Sequence, residues 1–137
     1  MALWQFDLYF IPIGACLPDT TGEEWDEPGL ALSQVRTVQE ALAYYFGPPW
    51  VMLNDWLVFG PENGNRVDVL FDDDFSASIF VRCDIRTEAP QFLALIVELA
   101  LRVECEFFSA DNKGLISADF QALTREAFAR RERLPRY

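Results

Sequence analysis

The first apolar pattern in the chain has a period of two: Trp4, Phe6, Leu8 and Phe10 alternate with Gln5, Asp7 and Tyr9. Successive side chains on a strand point to opposite faces, so this spacing predicts a strand with one strongly apolar face. The pattern stops at Pro12. Residues 12–30 are rich in Pro, Gly, Asp and Glu and read as a long acidic loop, a length that usually goes with function. Helical spacing follows at Val35, Val38, Leu42, Tyr45 and Phe46, with Ser33 as the expected N-cap and Gly47-Pro48-Pro49 as the stop.

Three strands are expected next. The first covers residues 56–59, and Asn63-Gly64 marks a hairpin. In the second, Val67, Val69 and Phe71 alternate with Arg66, Asp68 and Asp72. After a turn at Asp72-Asp73-Asp74, Ile79, Val81, Cys83 and Ile85 alternate with Phe80, Arg82, Asp84 and Arg86. Pro90 opens a helix carrying Phe92, Leu93, Leu95, Ile96, Leu99 and Ala100, apolar on most sides and so expected to be central. Val103, Cys105 and Phe107 alternate with Glu104 and Glu106 in a further strand. Asp111-Asn112-Lys113-Gly114 turns the chain. Ser117 is the expected cap of a last helix with Phe120, Leu123, Ala127 and Phe128 inward, and residues 131–137 form a basic, frayed tail. Strands and helices do not alternate regularly. The prediction is a single α+β domain over 1–137, with one antiparallel sheet of about five strands and helices packed on one face.

Composition supports a self-sustaining core. The chain has 137 residues, 51% of them hydrophobic, with twelve Phe and four Trp. A domain of this size hides roughly two-thirds of its unfolded surface. The start is not expected to be a secretory signal, because it lacks a basic residue after Met1 and Asp7 interrupts its apolar run. No apolar run approaches the roughly 20 residues of a membrane helix. Cys16, Cys83 and Cys105 show no CxxC pairing and read as reduced residues, which fits a cytoplasmic location.

Charge changes the picture most. Acids number 22 against 11 bases, a net of −11. Residues 1–81 hold thirteen acids and two bases, Arg36 and Arg66, whereas residues 82–137 hold nine of each. The excess therefore lies wholly in the first part. Such a field repels nucleic acid and anionic membrane and attracts basic proteins. The plainer reading is that acidity keeps the chain in solution.

Candidate chemistry is sparse. With no histidine, the commonest general base and metal ligand is missing, and Ser-His-Asp or Cys-His catalysis has no base. Carboxylates at Asp68, Asp72, Asp73 and Asp74 follow a hydrophobic strand, as in sites that hold Mg²⁺ or Mn²⁺; a solvated hairpin turn explains them more simply. No catalytic residue, metal or cofactor is expected, which leaves binding. The first candidate surface is Asp19, Glu23, Glu24, Trp25, Asp26 and Glu27, a Trp ringed by carboxylates, suited to steering and anchoring a basic partner. Its alternative has Trp25 packed on its own domain. The second is the polar sheet face, Arg66, Asp68, Phe80, Arg82, Asp84 and Arg86, accompanied by Tyr9, Leu70, Glu104 and Glu106. There the alternative is ordinary cross-strand charge pairing.

The hairpin segment ENGNRVDVLF, the strand VRCDIR, the buried helix and VECEFFS, closed by a capped helix, together resemble small acidic bacterial immunity proteins over about residues 54–130. The resemblance rests on element order and acidity and transfers no functional residue. It implies a non-enzymatic inhibitor that forms a tight complex with a basic toxin domain, often blocking its active site. From residue 33 onward the order is also similar to the small acidic chaperones of type III secretion, dimers that hold an extended effector segment, although the strand at 4–10 departs from that pattern. A third possibility, an acidic nucleic-acid mimic, has only net charge behind it. The chain is expected to be a monomer or homodimer that binds neither nucleic acid nor membrane.

Overall fold

The computed structural model describes residues 4–15, 29–72, 75–109 and 114–134. The elements run β1 (Gln5–Pro12), β2 (Leu30–Ala31), α1 (Leu32–Phe46), β3 (Trp50–Leu53), β4 (Trp56–Phe59), β5 (Arg66–Phe71), β6 (Ser76–Asp84), α2 (Pro90–Arg102), β7 (Cys105–Ser109), β8 (Gly114–Ile116) and α3 (Phe120–Glu132). The class is α+β, and every strand pairing is antiparallel in one sheet ordered β3-β4-β5-β6-β1-β7-β8. The two-residue β2 pairs with Ser76 and Ala77 of β6, beyond the end of β1.

Among the described residues the sheet has eight strands rather than about five. The three unforeseen strands are short: β2 has two residues, β8 three and β3 four. None is long enough to show an alternation. β3 reads Trp-Val-Met-Leu with a register shift between Val51 and Leu53, so its side chains follow no period of two.

Two expected caps also shift. α1 begins one residue before Ser33, with Ala31 at its N-cap position, and the Gln34 side chain accepts the Ala31 N–H at 3.0 Å. Gln34 also donates to the Val103 carbonyl at 2.8 Å, tying α1 to the end of α2. α3 is capped by Asp119, which accepts from the Ala122 N–H at 2.9 Å, and not by Ser117. Asp satisfies the first-turn donors at least as well as Ser. Glu104 takes φ 58 in the turn after α2, so it does not stand on the sheet as the alternation predicted.

Cross-strand partners share a face, so the register sorts the sheet into two sides. Phe6 faces Cys83, Leu8 faces Val81, and Phe10 faces Phe107. Val67 and Val69 continue that side opposite Val81 and Ile79. These residues join Val35, Val38 and Leu42 of α1, Ile96, Leu99 and Ala100 of α2, and Leu123 of α3 in one buried cluster. The three helices thus cover one face. Cys83 and Cys105 lie within this core as free thiols. Burial, reinforced by Asp7, raises the pKa of Cys83; burial and the neighbouring Glu104 and Glu106 push Cys105 up to about 12. Both are therefore protonated and unreactive near neutral pH. Among the described residues no helix is long and apolar enough to cross a membrane.

Gly60 ends β4 at φ +108, where an added Cβ would lie 2.7 Å from the Asn65 carbonyl oxygen. Side chains rarely adopt this backbone conformation. Gly60→Ala is expected to destabilise the fold by roughly 1–3 kcal/mol, read as a lower midpoint in urea unfolding.

Candidate protein-binding surfaces

Among the described residues no helix packs on the second face of the sheet. Register places Asp7 and Tyr9 opposite Arg82 and Phe80, and Arg66 and Asp68 opposite the same two residues from the other side. Trp56 and Val58 of β4 continue this face opposite Leu70 and Asp68. The sheet-face residues singled out by alternation therefore lie together on one surface, except Arg86, which follows the end of β6, and Glu104, which sits in the turn before β7.

They differ sharply in accessibility. Arg66 and Asp68 have side chains only 3% and 0% exposed. Arg66 Nε lies 3.0 Å from Asp68 Oδ1, and its Nη2 donates to Oδ2 at 3.1 Å. Trp56 Nε1 donates to the same Oδ2 at 2.9 Å. Arg66 Nη1 donates to the Glu62 carbonyl at 3.1 Å, and the Trp50 ring lies 5.9 Å from the guanidinium carbon. Trp50 is itself held by its Nε1 donating to the Gly60 carbonyl at 2.9 Å. This is a buried ion pair roofed by two indoles. Asp68 is committed to Arg66 and Trp56, while Asp72 Oδ2 accepts from Ser76 Oγ at 3.4 Å. Asp73 and Asp74 lie outside the described residues.

The pairing runs along one strand, from Arg66 to Asp68, instead of across strands. The reason is local: the residue directly opposite Arg66 is Arg82. Like charges in that position repel, so Arg66 turns to the carboxylate two positions on. Arg82 is half-buried, with its guanidinium 5.4 Å from the Phe80 ring centroid. Phe80 in turn packs on Tyr9 at 4.8 Å with a tilt of 46°. Tyr9, Phe80 and Arg82 form a half-buried aromatic and cationic strip.

At the end of that strip Arg86 grips Asp84 with two bonds, Nε to Oδ1 at 2.9 Å and Nη2 to Oδ2 at 2.8 Å. These hydrogen bonds hold the Asp84 carboxyl below its usual pKa, against an opposing pull from partial burial. The Arg86 guanidinium stacks 4.1 Å above the Trp4 ring. A bidentate guanidinium resting on an indole is a rigid, partly exposed feature that suits recognition.

A second feature was invisible in the sequence. A pocket of about 190 Å³ opens between the end of β6, the start of α2 and one side of α3, walled by Cys83, Ile85, Pro90, Leu93, Ala127 and Phe128. Arg131 and Glu88, 3.4 Å apart, stand at this pocket. An adjoining hollow of about 540 Å³ extends it past Asn65 and Pro61 to Tyr45 and Phe46. Segments far apart in the chain build these walls, and no local periodicity could announce them. The acidic candidate, Asp19, Glu23, Glu24, Trp25, Asp26 and Glu27, lies outside the described residues.

In comparisons with protein-family models, with curated proteins and with solved structures, nothing matches the chain.

Proposed function

We propose that the chain is a non-enzymatic, acidic protein-binding module of the immunity type, which neutralises a basic toxin domain in the cytoplasm. The observation that supports this most is the sheet face on which none of the described helices packs. It is a rigid platform with a half-buried strip of Tyr9, Phe80 and Arg82 beside the Asp84–Arg86 fork. Aromatic and Arg side chains on a rigid scaffold are the usual anchors of protein interfaces. The charge of −11, carried by the first part of the chain, supplies steering toward a basic partner.

The test is a pull-down with the tagged chain from its native cytoplasm, followed by mass spectrometry. A single dominant basic partner retained at about 0.5 M salt, where exposed charge pairs are largely screened, is the expected result. With that partner in hand, Trp25→Ala is expected to raise Kd by about 30-fold, the size of an interface anchor. Glu23→Lys with Glu24→Lys should slow association more than it speeds dissociation. If neither variant changes affinity, residues 19–27 are not the interface, and Arg82→Ala becomes the decisive variant. Failure to recover any specific partner sinks the inhibitor reading.

A further inference from the structure

Residues 41–54 carry no charged side chain, although they sit in the acidic part of the chain between Glu40 and Asp55. The run includes the C-terminal end of α1 and the whole of β3. β3 forms one end of the sheet order, and among the described residues no strand pairs with its outer side. Three of its four side chains are open to solvent: Val51 is 62% and Leu53 59% exposed, while Trp50 is 37% exposed. Tyr44, at the end of α1, is 95% exposed. An outer strand presents unpaired N–H and C=O groups, and natural edges are commonly blunted by Lys, Pro, a bulge or a short length. β3 is short and has a register shift at Val51–Leu53, but it lacks the charge that most directly prevents pairing.

We infer that this edge is a self-association surface, at which β3 pairs antiparallel with β3 of a second copy of the chain. The choice of a second copy follows from charge. A basic partner is recognised by carboxylates, and this strip has none. Two copies of net charge −11 repel wherever their acids face each other, and the uncharged strip is where they can approach most closely. The strip is also self-complementary. A two-fold axis across the edge sets Trp50 of one copy near Leu53 of the other and joins two sheets into one. Such a dimer uses neither the strip of Tyr9, Phe80 and Arg82 nor the α2–α3 pocket, so it is independent of the proposed inhibitor role.

Charge gives the inference a distinctive signature. Salt screens repulsion between the acidic bodies and leaves apolar strand pairing intact. Sedimentation velocity on the purified full chain should therefore show a monomer–dimer equilibrium whose Kd falls by at least about threefold between about 0.05 and 0.5 M salt. Val51→Lys with Leu53→Lys should abolish the dimer even though each lysine removes one unit of the net charge of −11 and so lessens repulsion. Both positions are exposed, and circular dichroism checks that the variant stays folded. Amide exchange on the unaltered chain provides a second readout. Exchange at residues 50–53 should slow as concentration rises, while residues 114–116 at the other end of the sheet stay unchanged. A chain that is monomeric at every concentration overturns the inference. So does a dimer that weakens with salt, a dimer indifferent to the two lysines, or protection at 114–116 in place of 50–53.

Discussion

Asp68→Ala is expected to lower folding stability by about 3–5 kcal/mol, one of the largest single-residue losses this fold should show. Deletion of the carboxylate leaves the Arg66 guanidinium charged with its side chain 3% exposed. The Glu62 carbonyl and the Trp50 ring remain, but neither neutralises it. The Trp56 indole N–H loses its acceptor at the same time. Urea unfolding followed by tryptophan fluorescence reads the loss as a shift in midpoint, and two of the reporters, Trp50 and Trp56, sit over the lesion. The double variant Arg66→Met with Asp68→Leu separates charge burial from shape. Removal of both ions together is often neutral or stabilising, so the double variant should lie far closer to the parent than Asp68→Ala does. If Asp68→Ala loses less than about 1 kcal/mol, the value typical of exposed pairs, the pair is solvated in solution and the two indoles do not roof it.

This pair also shows where sequence reasoning reaches its limit. The alternation at residues 66–71 correctly put Arg66 and Asp68 on the face opposite the hydrophobic side chains. Alternation cannot say whether that face is wet. It reports which residues share a side, and burial depends on what the neighbouring strand brings over them. Here that neighbour is β4 with Trp56, extended by β3 with Trp50. β3 itself was illegible because four residues with a register shift carry no period. By contrast β1, β5, β6 and α2 are long enough for their patterns to be unambiguous, and Pro90 falls at the first helical position, where its backbone preference puts it. Asn63-Gly64 does lie in the connection between β4 and β5, but the left-handed residue of that connection is Gly60. The candidate surface was legible to the same degree. The strip of Tyr9, Phe80 and Arg82 follows from parity, whereas the α2–α3 pocket depends on how three distant segments meet.

Phe107→Ala is the second large effect, expected at about 3–5 kcal/mol. Phe107 is fully buried in β7 and stands opposite Phe10 on one side and Ile116 on the other. Its ring meets Phe10 edge-on, with centroids 5.5 Å apart and planes at 73°. Truncation leaves a void between a sheet and a helix layer, neither of which can close over it without breaking backbone pairing. The double-mutant cycle with Phe10→Ala should return a coupling of about 0.5–1.5 kcal/mol for the ring contact beyond its buried area. A coupling near zero would mean that the two rings are only neighbours in a shared cluster. The same experiment bears on the edge strand. If β3 pairs between copies, the unfolding midpoint of the parent must rise with protein concentration. Phe107 lies on β7, four strands beyond β4 along the sheet from that edge. Its truncation should lower the midpoint at every concentration and leave the concentration dependence as steep as before. The Val51→Lys, Leu53→Lys chain should do the opposite, flattening the concentration dependence while barely moving the midpoint at the lowest concentration. Core and edge are then separable contributions to stability. Loss of the concentration dependence in Phe107→Ala, with the edge sequence untouched, would instead show that the association surface is organised by the core beneath β7.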